Sequence, residues 1–110
     1  DFTYVDDIVQ GIILVVDQIT SNDNEYEGGM HEIYNIGYGE QVQLMDFVEA
    51  IENEFGRKGT YDKVPAHPAD TPETWSDTSK LQKLGYKPTT AINEGVKHFV
   101  AWYKEYYNVN

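Results

Sequence analysis

The fold is decided by the run Asp1-Phe2-Thr3-Tyr4-Val5-Asp6-Asp7-Ile8-Val9, which passes from an extended segment directly into an amphipathic helix. From Val5 to about Ile19, apolar residues recur at helical spacing and form a broad stripe. Asp6 and Asp7 fall in the first turn, where carboxylates oppose the positive end of the helix dipole. The width of the stripe predicts a largely buried helix. Because the run reads as an internal strand-to-helix junction, we expect the chain to be the second half of a longer protein.

Two later segments have the pattern of β-strands. Residues 32–36 alternate, are rich in β-forming side chains and end at Gly37, and residues 60–64 form a second candidate that Pro65 closes. Between them, Leu44 to Phe55 has one apolar face and is followed by Gly56, a natural C-terminal stop. This pattern predicts strand, helix, strand.

Two further helices are predicted in the last third of the chain. Asp77 can cap a short helix that runs through Leu84, and Thr90 can cap a final helix from Ala91 to about Tyr107. The resulting order predicts a small mixed α/β unit, with three or four helices on a short sheet. The sheet is too small for a complete doubly wound domain, and 110 residues fit one domain.

The composition excludes several classes of function. Nineteen acidic and eight basic residues give a net charge of −11, which repels nucleic acid and anionic membrane surfaces. We therefore expect no nucleic acid and no membrane among the partners. With no cysteine and three histidines far apart in the sequence, neither a disulfide nor a metal site is expected. Arg57 is the only arginine, so the chain is poorly equipped to hold a phosphate group alone.

No catalytic or cofactor-binding motif is present. Gly37-Tyr38-Gly39 lacks the third glycine of a dinucleotide fingerprint and is interpreted as a turn, and no tyrosine is followed four residues later by lysine. The remaining candidate is the loop at residues 67–77, which prolines stiffen. Such a loop can present His67, Asp70 and hydroxyl groups to a ligand. From these residues alone, a plain connecting loop in which Asp70 makes a local turn is favoured.

Four segments, in order, carry a resemblance to a known enzyme family. They are the opening run at residues 1–9, Tyr34-Asn35-Ile36-Gly37, Pro68-Ala69-Asp70-Thr71-Pro72-Glu73-Thr74-Trp75-Ser76-Asp77-Thr78-Ser79, and Gly85-Tyr86-Lys87-Pro88-Thr89-Thr90 with the helix that follows it. Together they resemble the C-terminal part of the extended short-chain dehydrogenase/reductases, in particular the nucleotide-sugar epimerases and dehydratases. Within these, the likeness is greatest to UDP-glucuronate 4-epimerases.

The resemblance implies that residues 1–110 are a C-terminal substrate-binding domain whose Rossmann half lies upstream. That missing N-terminal half would bind NAD and carry the catalytic Tyr-Lys pair. The full-length protein would be an NAD-dependent UDP-sugar 4-epimerase, an isomerase that inverts C4 of a UDP-hexuronate, whereas the isolated chain would be inactive. A UDP-sugar ligand, a homodimer and a cytoplasmic location are implied for the full-length protein, and the isolated chain is expected to self-associate.

The resemblance also implies three substrate-binding residues. Asp70 matches the aspartate that hydrogen-bonds the nucleotide ribose, and Thr74 matches a position near the hexose. His67 stands where relatives have arginine or glutamine facing the diphosphate, which weakens phosphate binding unless the ring is protonated or donates a hydrogen bond while neutral. Two alternatives stay open. One is the same domain in a nucleotide-sugar dehydratase, and the other is a stand-alone acidic interaction module with an exposed apolar patch.

Overall fold

The computed structural model describes residues 1–21 and 32–109, and its regular elements are four helices. They are α1 (Val5–Ser21), α2 (Leu44–Phe55), α3 (Ser79–Gln82) and α4 (Ile92–Tyr107). The helices expected at the start, middle and end of the chain are confirmed, and α2 has the predicted bounds. Helix α3 is shorter than expected.

The mixed α/β prediction is wrong, because the described residues contain no β-strand. Residues 60–64 are exposed and irregular. Around residues 33–36 the hydrogen bonds come from side chains: Lys80 Nζ donates to the Ile33 carbonyl at 3.1 Å, and Asn35 Nδ2 donates to the Asp77 carbonyl at 3.1 Å. An extended segment becomes part of a sheet only when a second strand lies beside it at ~4.8 Å, and the described residues contain no such strand.

One core lies between α2 and α4. Ala50, Val96 and Val100 are buried there, and partly buried side chains of both helices pack around them. Helix α2 ends at Gly56, whose φ of +69° is in the left-handed region that suits glycine. The predicted stop at Gly56 is therefore confirmed.

A second contact joins α1 to the segment before α2 and to α3. Gly11 is buried, and a Cβ at this position would lie 2.9 Å from Ile36 Cγ2 and 3.2 Å from Leu81 Cδ2. The missing side chain thus allows α1 to approach closely. Nearby, the buried Tyr86 hydroxyl donates to the Gly37 carbonyl at 3.0 Å.

The prediction that α1 is largely buried is wrong for one of its faces. Val5, Val9, Ile12, Ile13 and Val16 are 45–59% exposed. The apolar stripe on α1 is wide enough for two contacts, and the described residues cover only the side that contains Asp7 and Gly11.

The segment that leads into α4 is held by a residue from another helix. The predicted Thr90 cap is wrong, since the N-cap position is Ala91 and no side chain makes a cap hydrogen bond. Just before this position, the carboxylate of Asp7, which is 3% exposed, accepts hydrogen bonds from the Thr89 and Thr90 N–H groups at 2.9 and 3.1 Å. Asp7 is therefore more than a helix-start charge.

The prediction that Asp77 caps α3 is wrong, because the N-cap position is Thr78 and no side chain makes a cap hydrogen bond. Asp77 lies one residue earlier, and its Oδ1 accepts a hydrogen bond from the Ser79 N–H at 3.0 Å. The hydrogen bonds from the Ser79 hydroxyl and N–H lower the pKa of Asp77.

Candidate ligand-binding cleft

A polar cleft of about 450 Å³ lies where three segments of the chain meet. Its lining consists of Asp1, Phe2, Gln41, Val42, Gln43, Leu44, Asp70, Thr71, Pro72, Glu73 and Thr74. The segments are the start of the chain, the stretch that leads into α2, and the proline-containing loop. The volume falls in the range of ~300–1,000 Å³ typical of small-molecule sites.

The structure places two of the three predicted site residues in this cleft. Asp70 and Thr74 belong to its lining, whereas His67 does not. His67 stands on the adjoining turn, where Asp70 N donates to the His67 carbonyl at 2.9 Å and His67 N donates to Asp70 Oδ2 at 3.1 Å. Asp70 therefore makes the local turn that its sequence context favours. Its Oδ1 has no hydrogen-bond partner within the part of the chain that the structure describes.

The geometry of the turn also assigns the hydrogen on the His67 ring. The N–H of Ala69 donates to His67 Nδ1 at 3.1 Å. A nitrogen that accepts a hydrogen bond carries no hydrogen, so in this arrangement Nε2 is the ring nitrogen that can donate. His67 can therefore donate one hydrogen bond to a ligand through Nε2.

The loop that carries Thr74 is held by Asp1. The Oδ2 atom of Asp1 accepts a hydrogen bond at 2.9 Å from the N–H of Ser76, two residues after Thr74. This contact joins residues 75 positions apart.

Sequence reasoning missed several polar residues of the cleft. Gln41 and Gln43 precede α2, and Gln41 Nε2 lies 3.5 Å from Glu73 Oε2 on the facing loop. In the sequence, the only feature that distinguishes these two glutamines is that they follow the Gly37–Gly39 turn. Polar side chains just before a helix are too common for that signal to identify a site.

The charge of the lining determines which ligand groups it can bind. Asp1, Glu73 and Asp70 contribute three carboxylates, and no lysine or arginine lines the cleft. Carboxylates repel phosphates and accept hydrogen bonds from hydroxyl groups. Both oxygens of Asp1 already accept two hydrogen bonds each, so Asp70 and Glu73 are the carboxylates that can accept hydroxyls. The described wall thus suits the hydroxyls of a sugar or ribose, and a phosphate would need cations from elsewhere.

A second cleft, of about 280 Å³, lies on the other side of Phe2 against α4. Its lining, which includes Tyr4, Ile92, Val96 and Phe99, contains no charged side chain. With few polar groups to orient a sugar, it is a poorer candidate for the same ligand.

The turn at Gly37–Gly39 does not fit a dinucleotide. In a phosphate-binding turn the backbone N–H groups point at the ligand, but here Tyr38 N and Gly39 N donate to the Asp1 carboxylate at 3.1 and 2.9 Å. The one arginine, Arg57, lies over the Phe55 ring, with its Cζ 5.6 Å from the ring centroid. The N–H groups of this turn are therefore not free to bind the pyrophosphate of NAD.

The described residues contain neither a metal-binding cluster nor a membrane-spanning helix. No group of three or more histidine, aspartate or glutamate side chains is arranged to hold a metal ion there. None of the four helices is both long and apolar enough to cross a bilayer.

Comparison with known proteins identifies the family. Residues 1–99 match the family model described as GDP-mannose 4,6 dehydratase. The chain belongs to this family. The resemblance to the epimerases and dehydratases among the extended short-chain dehydrogenase/reductases is thereby confirmed.

Curated relatives with similar sequences are consistent with this assignment. Protein CapI of Staphylococcus aureus is 41% identical over 97% of the chain. A probable UDP-glucuronate 4-epimerase of Rhizobium meliloti is 33% identical over 97% of the chain, and UDP-glucuronate 4-epimerase 4 of Arabidopsis thaliana is 36% identical over 98%. The chain spans 35%, 35% and 26% of these three proteins, respectively, so it corresponds to about a third of a family member.

Proposed function

We propose that the chain is the substrate-binding part of an NAD-dependent UDP-sugar 4-epimerase that inverts C4 of a UDP-hexuronate, with UDP-glucuronate as the first candidate. The observation that supports this most directly is the cleft, which brings Asp70 and Thr74 onto one polar wall. The names of relatives 33–36% identical to the chain favour the hexuronate. Family membership favours an enzyme over a stand-alone interaction module.

The three predicted residues have distinct roles in this proposal. Asp70 Oδ1, which lacks a partner in the described chain, accepts a hydrogen bond from a ribose hydroxyl. His67 donates its Nε2 hydrogen to an oxygen of the diphosphate, since its Nδ1 already accepts a hydrogen bond from Ala69 N. The Thr74 hydroxyl faces the hexose and contributes to the choice of sugar.

The proposal places NAD and the catalytic residues in the part of the protein outside these 110 residues. The N–H groups of the Gly37–Gly39 turn bind the Asp1 carboxylate, which argues against a pyrophosphate site at this turn. The chain's own contribution is to bind and orient the nucleotide sugar. The homodimer and the cytoplasmic location that the resemblance implies stay predictions.

The description of the matching family model favours a second candidate, a nucleotide-sugar dehydratase. Such an enzyme would bind its nucleotide sugar in the same cleft and release water from the hexose. The two candidates differ in their products, since an epimerase returns an isomer of equal mass and a dehydratase returns a product that is lighter by one water.

The test is an assay of the complete gene product with UDP-glucuronate, with products separated and weighed by mass spectrometry. An epimer of equal mass is expected. Asp70→Asn, which keeps the size of the side chain, should raise KM roughly tenfold or more, as expected for a lost hydrogen bond to a charged group. Asp62→Asn is the matched control, because Asp62 is exposed and outside the cleft. Failure to form an epimer from any UDP-sugar would contradict the proposal, and a dehydrated product would favour the second candidate.

A further inference from the structure

We propose that Asp1 is a positioning residue that fixes Thr74 in the cleft and thereby contributes to the choice of sugar. The inference rests on the proposed function, because it concerns the same cleft. It assigns a role to a carboxylate that lines the site without contacting the ligand.

The carboxylate of Asp1 joins two separate segments. Oδ1 accepts hydrogen bonds from Tyr38 N and Thr3 Oγ1, both at 3.1 Å. Oδ2 accepts hydrogen bonds from Gly39 N and Ser76 N, both at 2.9 Å. One side chain therefore links the turn before α2 to the loop that carries the site.

These four donors also show that Asp1 does not bind the ligand itself. A carboxylate offers about four lone-pair positions, and each oxygen of Asp1 already has two donors. A sugar hydroxyl would have to displace one of them. Asp1 is thus a structural part of the wall, in contrast to Asp70, whose Oδ1 has no partner in the described chain.

The position of Thr74 depends on the carboxylate of Asp1. Its Oδ2 accepts a hydrogen bond at 2.9 Å from the N–H of Ser76, two residues after Thr74. The segments are in close contact as well, since a Cβ on Gly37 would lie 2.5 Å from Ser76 Cβ. The turn of His67 and Asp70, by contrast, is closed by its own hydrogen bonds. A change at Asp1 should therefore shift the sugar end of the cleft and leave the nucleotide end in place.

The test compares Asp1→Asn with wild type in the complete gene product. An amide has one acceptor oxygen, and its NH₂ group would oppose the backbone N–H donors. For UDP-glucuronate we expect kcat/KM to fall about tenfold or more, as for a lost hydrogen bond to a charged group. The preference for UDP-glucuronate over UDP-glucose, measured as the ratio of the two kcat/KM values, should also fall. Binding of UDP alone, measured by calorimetry, should change less than twofold. The matched control is Asp6→Asn, an exposed carboxylate of the first turn of α1.

Two results would overturn the inference. One is an unchanged sugar preference in folded Asp1→Asn protein, and the other is an equal loss of affinity for UDP and for the UDP-sugar. If Asp1→Asn does not fold, Thr3→Val serves instead, because Thr3 Oγ1 binds both Asp1 Oδ1 and Tyr38 N. Thr3→Val should change the same ratio in the same direction by a smaller factor, and an unchanged ratio would overturn the inference.

A readout without substrate separates this inference from the proposed function. In Asp1→Asn, amide hydrogen exchange should accelerate at Tyr38, Gly39 and Ser76 and stay unchanged at Asp70. Unchanged exchange at the first three amides would contradict the role of Asp1 even in an active enzyme. Accelerated exchange in a protein that converts no UDP-sugar would leave the positioning role intact and refute only the proposed reaction.

Discussion

Glu52 is the residue whose protonation should affect acid stability most. It accepts hydrogen bonds from the Tyr61 hydroxyl and from Gly59 N at 2.6 Å, and it pairs with Lys58 Nζ at 2.9 Å. These contacts, the Tyr61 bond foremost, lower the pKa of Glu52 from 4.5 to about 2. Because the folded state holds the charged form, this stabilisation is complete above pH 4.5 and is lost as the pH falls toward 2.

Glu52→Gln should therefore destabilise the 110-residue chain at neutral pH and flatten its pH dependence. The gap in unfolding free energy between wild type and variant should shrink between pH 4.5 and pH 2, since the wild-type carboxylate gains a proton there. Urea denaturation at several pH values measures the gap. Glu54→Gln is the control, because Glu54 is exposed on the same helix. A gap that does not vary with pH would refute the assignment.

At the scale of elements, one buried carboxylate connects the first helix to the last. Asp7 on α1 accepts hydrogen bonds from the N–H groups of Thr89 and Thr90 ahead of α4. Asp7→Ala leaves both donors without this partner and should lower the unfolding free energy by about 1–3 kcal/mol. Chemical denaturation measures the loss. Asp6→Ala removes an exposed neighbour with the same charge, and an equal loss in both variants would mean that the hydrogen bonds of Asp7 contribute nothing.

The elements that could be predicted from the sequence are those that depend on local periodicity. Helix α2 was predicted residue for residue, because its apolar face and the glycine after it are local signals. The prediction of a strand at residues 32–36 was wrong, since strand pairing depends on a distant partner that no local pattern specifies. The contact that holds the segment before α4 could not be predicted for the same reason, as Asp7 and Thr89 are 82 positions apart.

The candidate site could also be predicted only in part. The family resemblance pointed to Asp70 and Thr74, and the structure places both in one cleft. Asp1 could not be identified in this way, because its role arises only when the turn at residues 37–39 and the loop near Ser76 approach each other. Contacts between segments this far apart in sequence are set by tertiary packing.

At the scale of the whole molecule, the described surface has a large apolar area on α1. Val5, Val9, Ile12, Ile13 and Val16 are each 45–59% exposed along one side of this helix. Contiguous apolar areas of this kind usually mark an interface. Since the chain spans only 35% of the length of relatives such as protein CapI, we predict that the remaining part of the protein covers this face.

A charged residue on this face should destabilise the complete protein and reduce the self-association of the isolated 110-residue chain. In the complete gene product, Ile13→Glu would bury an unpaired carboxylate and should lower the unfolding free energy by roughly 2 kcal/mol or more. In the isolated 110-residue chain the same variant should reduce self-association, seen by sedimentation, because the charge would stand on an apolar surface that otherwise pairs. The control is Gln18→Glu, which adds the same charge at another exposed position of α1. If the complete protein tolerates Ile13→Glu as well as the control, the face is open in the whole molecule and the predicted interface does not exist.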